Sequence, residues 1–346
     1  MGAEQAAKPL TRHLGRSGIT VSAMGMGCWA IGGPWWSGDM AVGWGAVDDT
    51  ESIRAIHCAI DMGVSFFDTA DVYGTGHSER LLAQAFQGKR DSVVIASKFG
   101  RTFDETSRQM TGSCASEAYI RKACEASLQR LGTDHIDLYQ FHLADYNTEQ
   151  APIVQGVLED LVSEGKIRFY GWSTDSVARA RVFAQGSKCV AIQHRMSVLE
   201  CDDAMVDACA ELDMASINRG PLGMGLLTGK FGTSSRLDID DVRGPKGLSW
   251  IKYFTDGRPS ADWLAKVDAL REVLTSGGRT LAQGALAWIW GRSERCIPIP
   301  GFRTVAQVEE NSRAMEYGPL DEEQMAEVDR ILGRQVPRGR DEPDVN

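Results

Sequence analysis

Val64-Ser65-Phe66-Phe67-Asp68-Thr69-Ala70-Asp71-Val72-Tyr73-Gly74 begins as a short, largely apolar run and ends as a polar turn. Upstream, Ile53, Ile56 and Ile60 mark one face of a helix that Gly63 closes, so the run reads as a strand entered from a helix. The same unit recurs along the chain. Helical patterns over 78–86, 116–131, 152–163, 177–184 and 203–212 precede apolar runs at 92–97, 136–141, 167–172, 189–193 and 214–218. A longer unit, with helical patterns over 261–274 and 281–290, precedes a run at 296–299, and 23–28 supplies an eighth strand near the start. Strands that alternate with helices imply a parallel sheet. Eight such units in 346 residues favour an α/β architecture of the (β/α)8 TIM-barrel type over an open doubly wound sheet.

Three segments stand outside these units. Residues 10–21, with Gly15-Arg16-Ser17-Gly18 as the turn, read as a β-hairpin closing the barrel bottom. Residues 229–259 form a Gly/Asp-rich loop too long for a mere connector, and it carries Trp250, Tyr253 and Phe254. A last helix is expected over 321–332. The chain reads as one barrel domain ordered over about 10–333, with flexible ends at 1–9 and 334–346.

A formal net charge of -10 argues against a broad nucleic-acid or anionic-membrane surface, so any basic site must be local, such as a pocket for a phosphate-bearing cofactor. No apolar run approaches bilayer length, and residues 1–9 lack the apolar core of a signal peptide. Eight cysteines without a Cys-x-x-Cys pair fit reduced thiols in a cytoplasmic protein. The six histidines include no His-x-His, and no metal site is expected. No Gly-x-Gly-x-x-Gly follows an early strand, which argues against a Rossmann dehydrogenase.

In a parallel barrel the reaction site lies at the C-terminal ends of the strands. Asp68 and Tyr73 follow the second strand, Lys98 ends the third and His142 ends the fourth, so all four converge on one rim. A free phenol, with a pKa of about 10, is a poor proton donor at neutral pH. A neighbouring Lys98 ammonium is expected to make Tyr73 a stronger acid, Asp68 to keep Lys98 protonated, and a neutral His142 to orient a carbonyl oxygen. General-acid help of this kind is worth roughly 10²- to 10⁴-fold.

The chain resembles the aldo-keto reductase family from about Leu14 to Asn311, most specifically in Gly63 to Glu79, GVSFFDTADVYGTGHSE. The resemblance, distantly shared with potassium-channel β-subunits, implies reduction of a carbonyl to an alcohol (reversibly) by hydride transfer from NADPH, with NADH as a second possible donor. It implies Asp68, Tyr73, Lys98 and His142 as the catalytic tetrad, with Tyr73 as proton donor and Trp29, Tyr73 and His142 facing a small carbonyl or alcohol substrate. Gly25-Met26-Gly27-Cys28-Trp29 matches the first-strand motif, placing Gly27, Cys28 and Trp29 by the cofactor together with Asp68. Ser173 and Thr174 match a Ser-Asn pair that holds the nicotinamide carboxamide, although Thr174 brings only a hydroxyl. Gln193 matches the carboxamide-binding glutamine.

Asn218-Arg219-Gly220-Pro221-Leu222-Gly223 with Gly225 and Lys230 resembles the loop around the cofactor pyrophosphate, Arg219 standing where a tyrosine often stacks. Gly301, Arg303, Gln307, Glu310 and Asn311 resemble the adenosine site, with Arg303 expected to read the 2′-phosphate. Gln307 stands where many members have an arginine, which softens the preference for NADPH. An alternative of the same fold is a cofactor-binding partner subunit with little turnover. Oligomeric state and substrate are not legible.

Overall fold

The computed structural model describes residues 10–334. Eight strands, β1 Gly25–Gly27, β2 Phe66–Asp68, β3 Val94–Phe99, β4 Ile136–Phe141, β5 Ile167–Ser173, β6 Cys189–Arg195, β7 Ala215–Arg219 and β8 Cys296–Pro298, pair in chain order, all parallel. A parallel bridge between Gly27 and Gly301 brings the last strand back to the first, and the Gly27 N–H donates to Pro300 O at 2.9 Å. The result is the (β/α)8 barrel.

Helices separate the strands, and several of them start where a short polar side chain caps the first turn. Asp48 accepts from Glu51 N ahead of Asp49–Asp61, and Ser116 accepts from Tyr119 N ahead of Glu117–Leu131. Leu281–Arg292 opens on a reciprocal capping box between Thr280 and Gln283. That helix is apolar nearly all round, and its residues from Leu281 to Trp290 are buried.

Side chains of a strand alternate between two faces. One set, including Phe66, Ala96, Leu138, Ala191, Ile217 and Ile297, forms a separate inner cluster with Leu14 and Val21. The other set, including Phe67, Ile95, Tyr139, Trp172 and Ile192, packs against the helices. The N-terminal hairpin, Thr11–His13 with Thr20–Ser22, seals the inner layer as expected. Arg16 fixes it there by donating to Cys189 O, Ala184 O and Gly186 O at 2.9, 2.8 and 2.7 Å.

Some features depart from the sequence expectation. Trp36–Ser37, Met40–Ala41, Arg101–Asp104 and Gln109–Ser113 build a small four-stranded sheet from the loops after β1 and β3. No alternating pattern announces these strands, because they are two to five residues long and depend on pairing across the sequence. The 229–259 loop contains a tight turn, Phe254–Thr255 against Arg258–Pro259, and is tied to the β1 loop through Val242 N and Gly43 O at 2.7 Å. Arg334, assigned by the sequence to a flexible tail, donates to Val198 O at 2.6 Å and lies 5.2 Å from the Trp288 ring. The remaining expectations of flexibility, for 1–9 and 335–346, lie outside the described residues. Among the described residues no helix is long and apolar enough to cross a membrane.

Gly15 lies where the hairpin meets the strands. Its φ is +51°, and an added Cβ would stand 2.1 Å from Val190 O. Gly15→Ala is therefore expected to lower the unfolding free energy by roughly 3 kcal/mol. Denaturant titration checks this; a midpoint equal to that of the parent protein would show that the hairpin does not seal the barrel.

Candidate active site

The inner face of the strands changes character toward the C-terminal end. Two residues beyond Phe66, Ala96, Leu138, Ala191 and Ile217, the same face carries Asp68, Lys98, Gln140, Gln193 and Arg219. A period of two alone thus stacks an apolar plug under a polar floor.

Lys98 is fully buried, and its Nζ finds three acceptors: Asp68 Oδ1 at 2.5 Å, Thr69 O at 2.7 Å and Tyr73 Oη at 3.2 Å. An uncompensated buried ammonium costs several kcal/mol. Burial pulls the Lys98 pKa down, but the Asp68 carboxylate and the hydrogen bonds outweigh it, and the net direction is up. Asp68 is held from its other side as well, with Oδ2 accepting from Gln140 Nε2 at 2.9 Å and Gln193 Nε2 at 2.7 Å. The two amides also touch, Gln193 Nε2 donating to Gln140 Oε1 at 3.2 Å.

Tyr73 reaches this floor from the loop after β2. Gly74, at φ +60°, lets the chain turn there so closely that a Cβ would stand 1.8 Å from Gly32 O. Burial raises the Tyr73 pKa and Lys98 lowers it; the net direction is up, opposite to the sequence expectation of a more acidic phenol. The physical reason is that Lys98 shares its charge with Asp68, leaving desolvation dominant.

His142 follows β4, with its N–H donating to Phe99 O at 2.8 Å. Its ring stands edge-on to Tyr73, centroids 5.9 Å apart. Burial first, then the cations Lys98, Arg101 and Arg219, hold its pKa well below 6.5, so the imidazole is neutral. Its Nδ1 is buried and has no hydrogen-bond partner among the described residues.

A cavity of about 1370 Å³ opens over Tyr73 and His142 and runs to Asn311. Gly27, Trp29, Ser173, Gln193 and Arg219 line it near the floor. Gly220, Pro221, Leu222, Gly225 and Lys230 line its middle, and Gly301, Arg303, Gln307, Glu310 and Asn311 its far end. Lys98 and Gly223 lie just behind the wall. Cys28 is buried, its N–H bonded to Asp68 O at 2.8 Å. Thr174 is also turned away, its hydroxyl donating to Ala144 O at 2.8 Å. Asn218 lies on the outward face of β7, where Nδ2 donates to Ser216 Oγ at 2.9 Å. Nearby, Trp35 packs with Ala70 and Val72, and Trp36 belongs to the small sheet.

Trp29 stacks between Tyr73 and Trp250 at 5.9 and 6.5 Å, with Trp44 edge-on at 5.5 Å. Gln307 Oε1 accepts from Arg303 N at 2.8 Å, while the Arg303 guanidinium donates to Trp44 O at 3.2 Å and to Ala46 O.

Several residues of the site have no clear signal in the sequence. Gln140 sits inside an apolar run, and only its parity with Leu138 marks it as inward. Asp175 pairs with Arg219 at 2.5 Å, an ion pair that no local pattern announces. Arg243 is buried against Asp241 and stacks 4.4 Å from the Trp44 ring. Among the described residues no cluster of His, Cys, Asp or Glu could hold a metal ion.

The family model described as "Aldo/keto reductase family" matches residues 23–332. Among solved structures, glycerol dehydrogenase AKR11B4 from Gluconobacter oxydans is 28% identical, with 97% of this chain and 99% of that chain covered and a TM-score of 0.77. The holo form of aldo-keto reductase AKR11C1 from Bacillus halodurans is 26% identical, covering 93% of this chain and 96% of that chain, with a TM-score of 0.74. An aldo/keto reductase from Klebsiella pneumoniae, solved with NADP and acetate, shares the fold at 23% identity, 96% and 98% coverage and a TM-score of 0.66.

The neutral imidazole is directly testable. As pH falls through 6.5, the His142 ring signals in an NMR titration should stay at their neutral positions. A protonation midpoint at or above 6.5 would contradict the placement of three cations around the ring.

Proposed function

This chain belongs to the aldo/keto reductase family and is an NAD(P)H-dependent oxidoreductase, and we propose that it reduces an aldehyde or ketone to an alcohol with NADPH, Tyr73 donating the proton. The observation that carries this reading is the Lys98 ammonium in contact with both the Asp68 carboxylate and the Tyr73 phenol, beside a neutral His142. The same groups serve alcohol oxidation in reverse.

The cavity suits a dinucleotide with a small substrate, being larger than an ordinary ligand pocket of about 300–1,000 Å³. At its middle the Lys230 ammonium lies 5.0 Å from the Phe231 ring and makes no hydrogen bond or ion pair among the described residues, so a cation is available for pyrophosphate. Arg303 reads the 2′-phosphate in this proposal, Glu310 and Asn311 take the adenine, and Ser173 and Gln193 take the carboxamide. Arg219 stacks at the nicotinamide, held by Asp175. Bound there, the nicotinamide supplies or accepts the hydride.

The chain's own residues handle the oxygen. His142 directs an imidazole N–H at the carbonyl oxygen, which fixes the carbonyl and favours developing negative charge on it. Tyr73 transfers its phenolic proton to that oxygen as the carbon is reduced. Lys98, one hydrogen bond away, stabilises the phenolate left behind, and Asp68 keeps Lys98 charged throughout. Trp29 stacks on Tyr73 and keeps water from its open face.

Tyr73→Phe is expected to lower turnover at least a hundredfold while leaving NADPH binding, followed by cofactor fluorescence, close to that of the parent protein. The sign of the pH dependence follows from the phenol. Reduction needs it protonated, and its pKa lies above 10, so the reduction rate holds level through neutral pH and falls only in strong alkali. Oxidation needs the phenolate and rises over that same alkaline range. A reduction rate already falling between pH 7 and 8 would assign proton donation to another group.

Arg303→Ala separates the two cofactors. NADPH affinity should fall by tenfold or more, and NADH affinity should change by much less. Equal losses would place the reader of the 2′-phosphate elsewhere, with Lys230 and Arg243 the next cations along the wall.

A further inference from the structure

The catalytic end of the cavity holds a cation that the proposed reaction leaves without a role. Arg101 lines the cavity two residues beyond Phe99, whose carbonyl accepts the His142 N–H. Its backbone is fixed from two directions. Arg101 pairs with Ser113 in the small sheet, and Arg101 O accepts from Tyr119 Oη at 2.9 Å. The guanidinium, by contrast, makes no hydrogen bond, ion pair or ring contact among the described residues.

Most of the neighbouring charges are already matched, and the Arg195 guanidinium stacks 4.8 Å from the Trp250 ring. Asp68 holds Lys98, Asp175 holds Arg219 at 2.5 Å, and Asp145 faces Arg179 at 3.5 Å. Glu200 takes Lys252 and the Tyr253 hydroxyl. Among the described residues no carboxylate pairs with Arg101. Nor is the cofactor's phosphate chain its natural partner. The phosphate-binding candidates Lys230 and Arg303 follow β7 and β8, and β7 stands directly across the eight-strand ring from β3. The field of Arg101 nonetheless reaches the reacting centre, since it is the third contributor, after burial and Lys98, to the lowered pKa of His142. The same cavity is lined by the flat apolar surfaces of Trp29, Trp44 and Trp250.

From this arrangement we infer that the carbonyl substrate carries a carboxylate, which Arg101 receives while the tryptophan wall takes the carbon skeleton. The inference rests on the reductase reading above and adds its substrate class. A planar guanidinium matches a carboxylate through two parallel N–H donors, and such charge-assisted pairs are stronger than neutral hydrogen bonds. In a protein of net charge -10, an unpaired cation inside a cavity also draws an anion that the outer surface repels.

The test compares matched pairs that differ only in the anion: 4-carboxybenzaldehyde with benzaldehyde, and succinic semialdehyde with butanal. For the NADPH-loaded enzyme, kcat/KM should favour the carboxylate member of each pair by roughly ten- to a hundredfold. Arg101→Met should bring that ratio toward one, and Arg101→Lys should restore part of it. Benzoate binding, measured calorimetrically with and without NADPH and compared with benzamide, gives a second readout independent of turnover. Benzoate should bind the parent protein more tightly than benzamide, and the difference should vanish in Arg101→Met.

Turnover of the neutral aldehydes without a preference for the acids would overturn this inference and leave the reductase reading intact. A preference that survives Arg101→Met would overturn the assignment to Arg101. Absence of turnover with every carbonyl would sink the reductase reading instead, and benzoate binding would then still decide whether the anion site exists.

Discussion

A fully buried ammonium governs the upper half of this barrel. Lys98 cannot be left alone in an apolar interior, and each of its three acceptors comes from the β2 segment or the turn after it. The lysine thereby ties β3 to the loop that carries Tyr73, and its own charge is supported only while that loop keeps its shape. Asp68 is in turn bound by amides from β4 and β6. Four strands therefore meet in one hydrogen-bonded knot, and the phenol stands on top of it. Removing Lys98 or either amide would leave a buried polar atom unsatisfied, which is why the floor and the turn that carries Tyr73 hold one geometry together.

The division between floor and wall follows from that. The floor is made of strand residues at fixed parity and is rigid. The wall over it takes Trp29 and Trp44 from the loop after β1, Arg101 from the small sheet and Trp250 from the 229–259 loop, held by aromatic contacts and a few backbone bonds. Proton chemistry and substrate shape thus rest on separate parts of the chain. Changes in Trp44, Trp250 or Arg101 alter what fits in the cavity without touching the Asp68–Lys98–Tyr73 contacts.

How far the sequence reveals this depends on what each residue needs. The eight strands are legible because each is a run of apolar residues between helical patterns, and the positions of Asp68, Lys98 and His142 are legible because they end such runs. Gln140 is hidden, since a polar residue inside an apolar run looks like an exception until parity shows it two residues past Leu138. Parity also separates Asn218, facing out toward Ser216, from Arg219, facing in, although both belong to one matching motif. Thr174 keeps its motif position, yet its hydroxyl serves Ala144. The small sheet and the Asp175–Arg219 pair have no local signature at all, because each joins segments distant in sequence.

The hairpin at the barrel bottom has a consequence in time as well as in space. Its Arg16 closes on carbonyls some 170 residues further along the chain, at separations of 168, 170 and 173. Arg16 therefore has nothing to bind until β6 and its preceding helix exist, although Ser22 at the hairpin's end exchanges hydrogen bonds with Ser65 ahead of β2. Loop closure over such a span is slow relative to local pairing. The inner apolar layer, Leu14 and Val21 included, is exposed from below until then, so the piece that comes first in the chain is docked among the last.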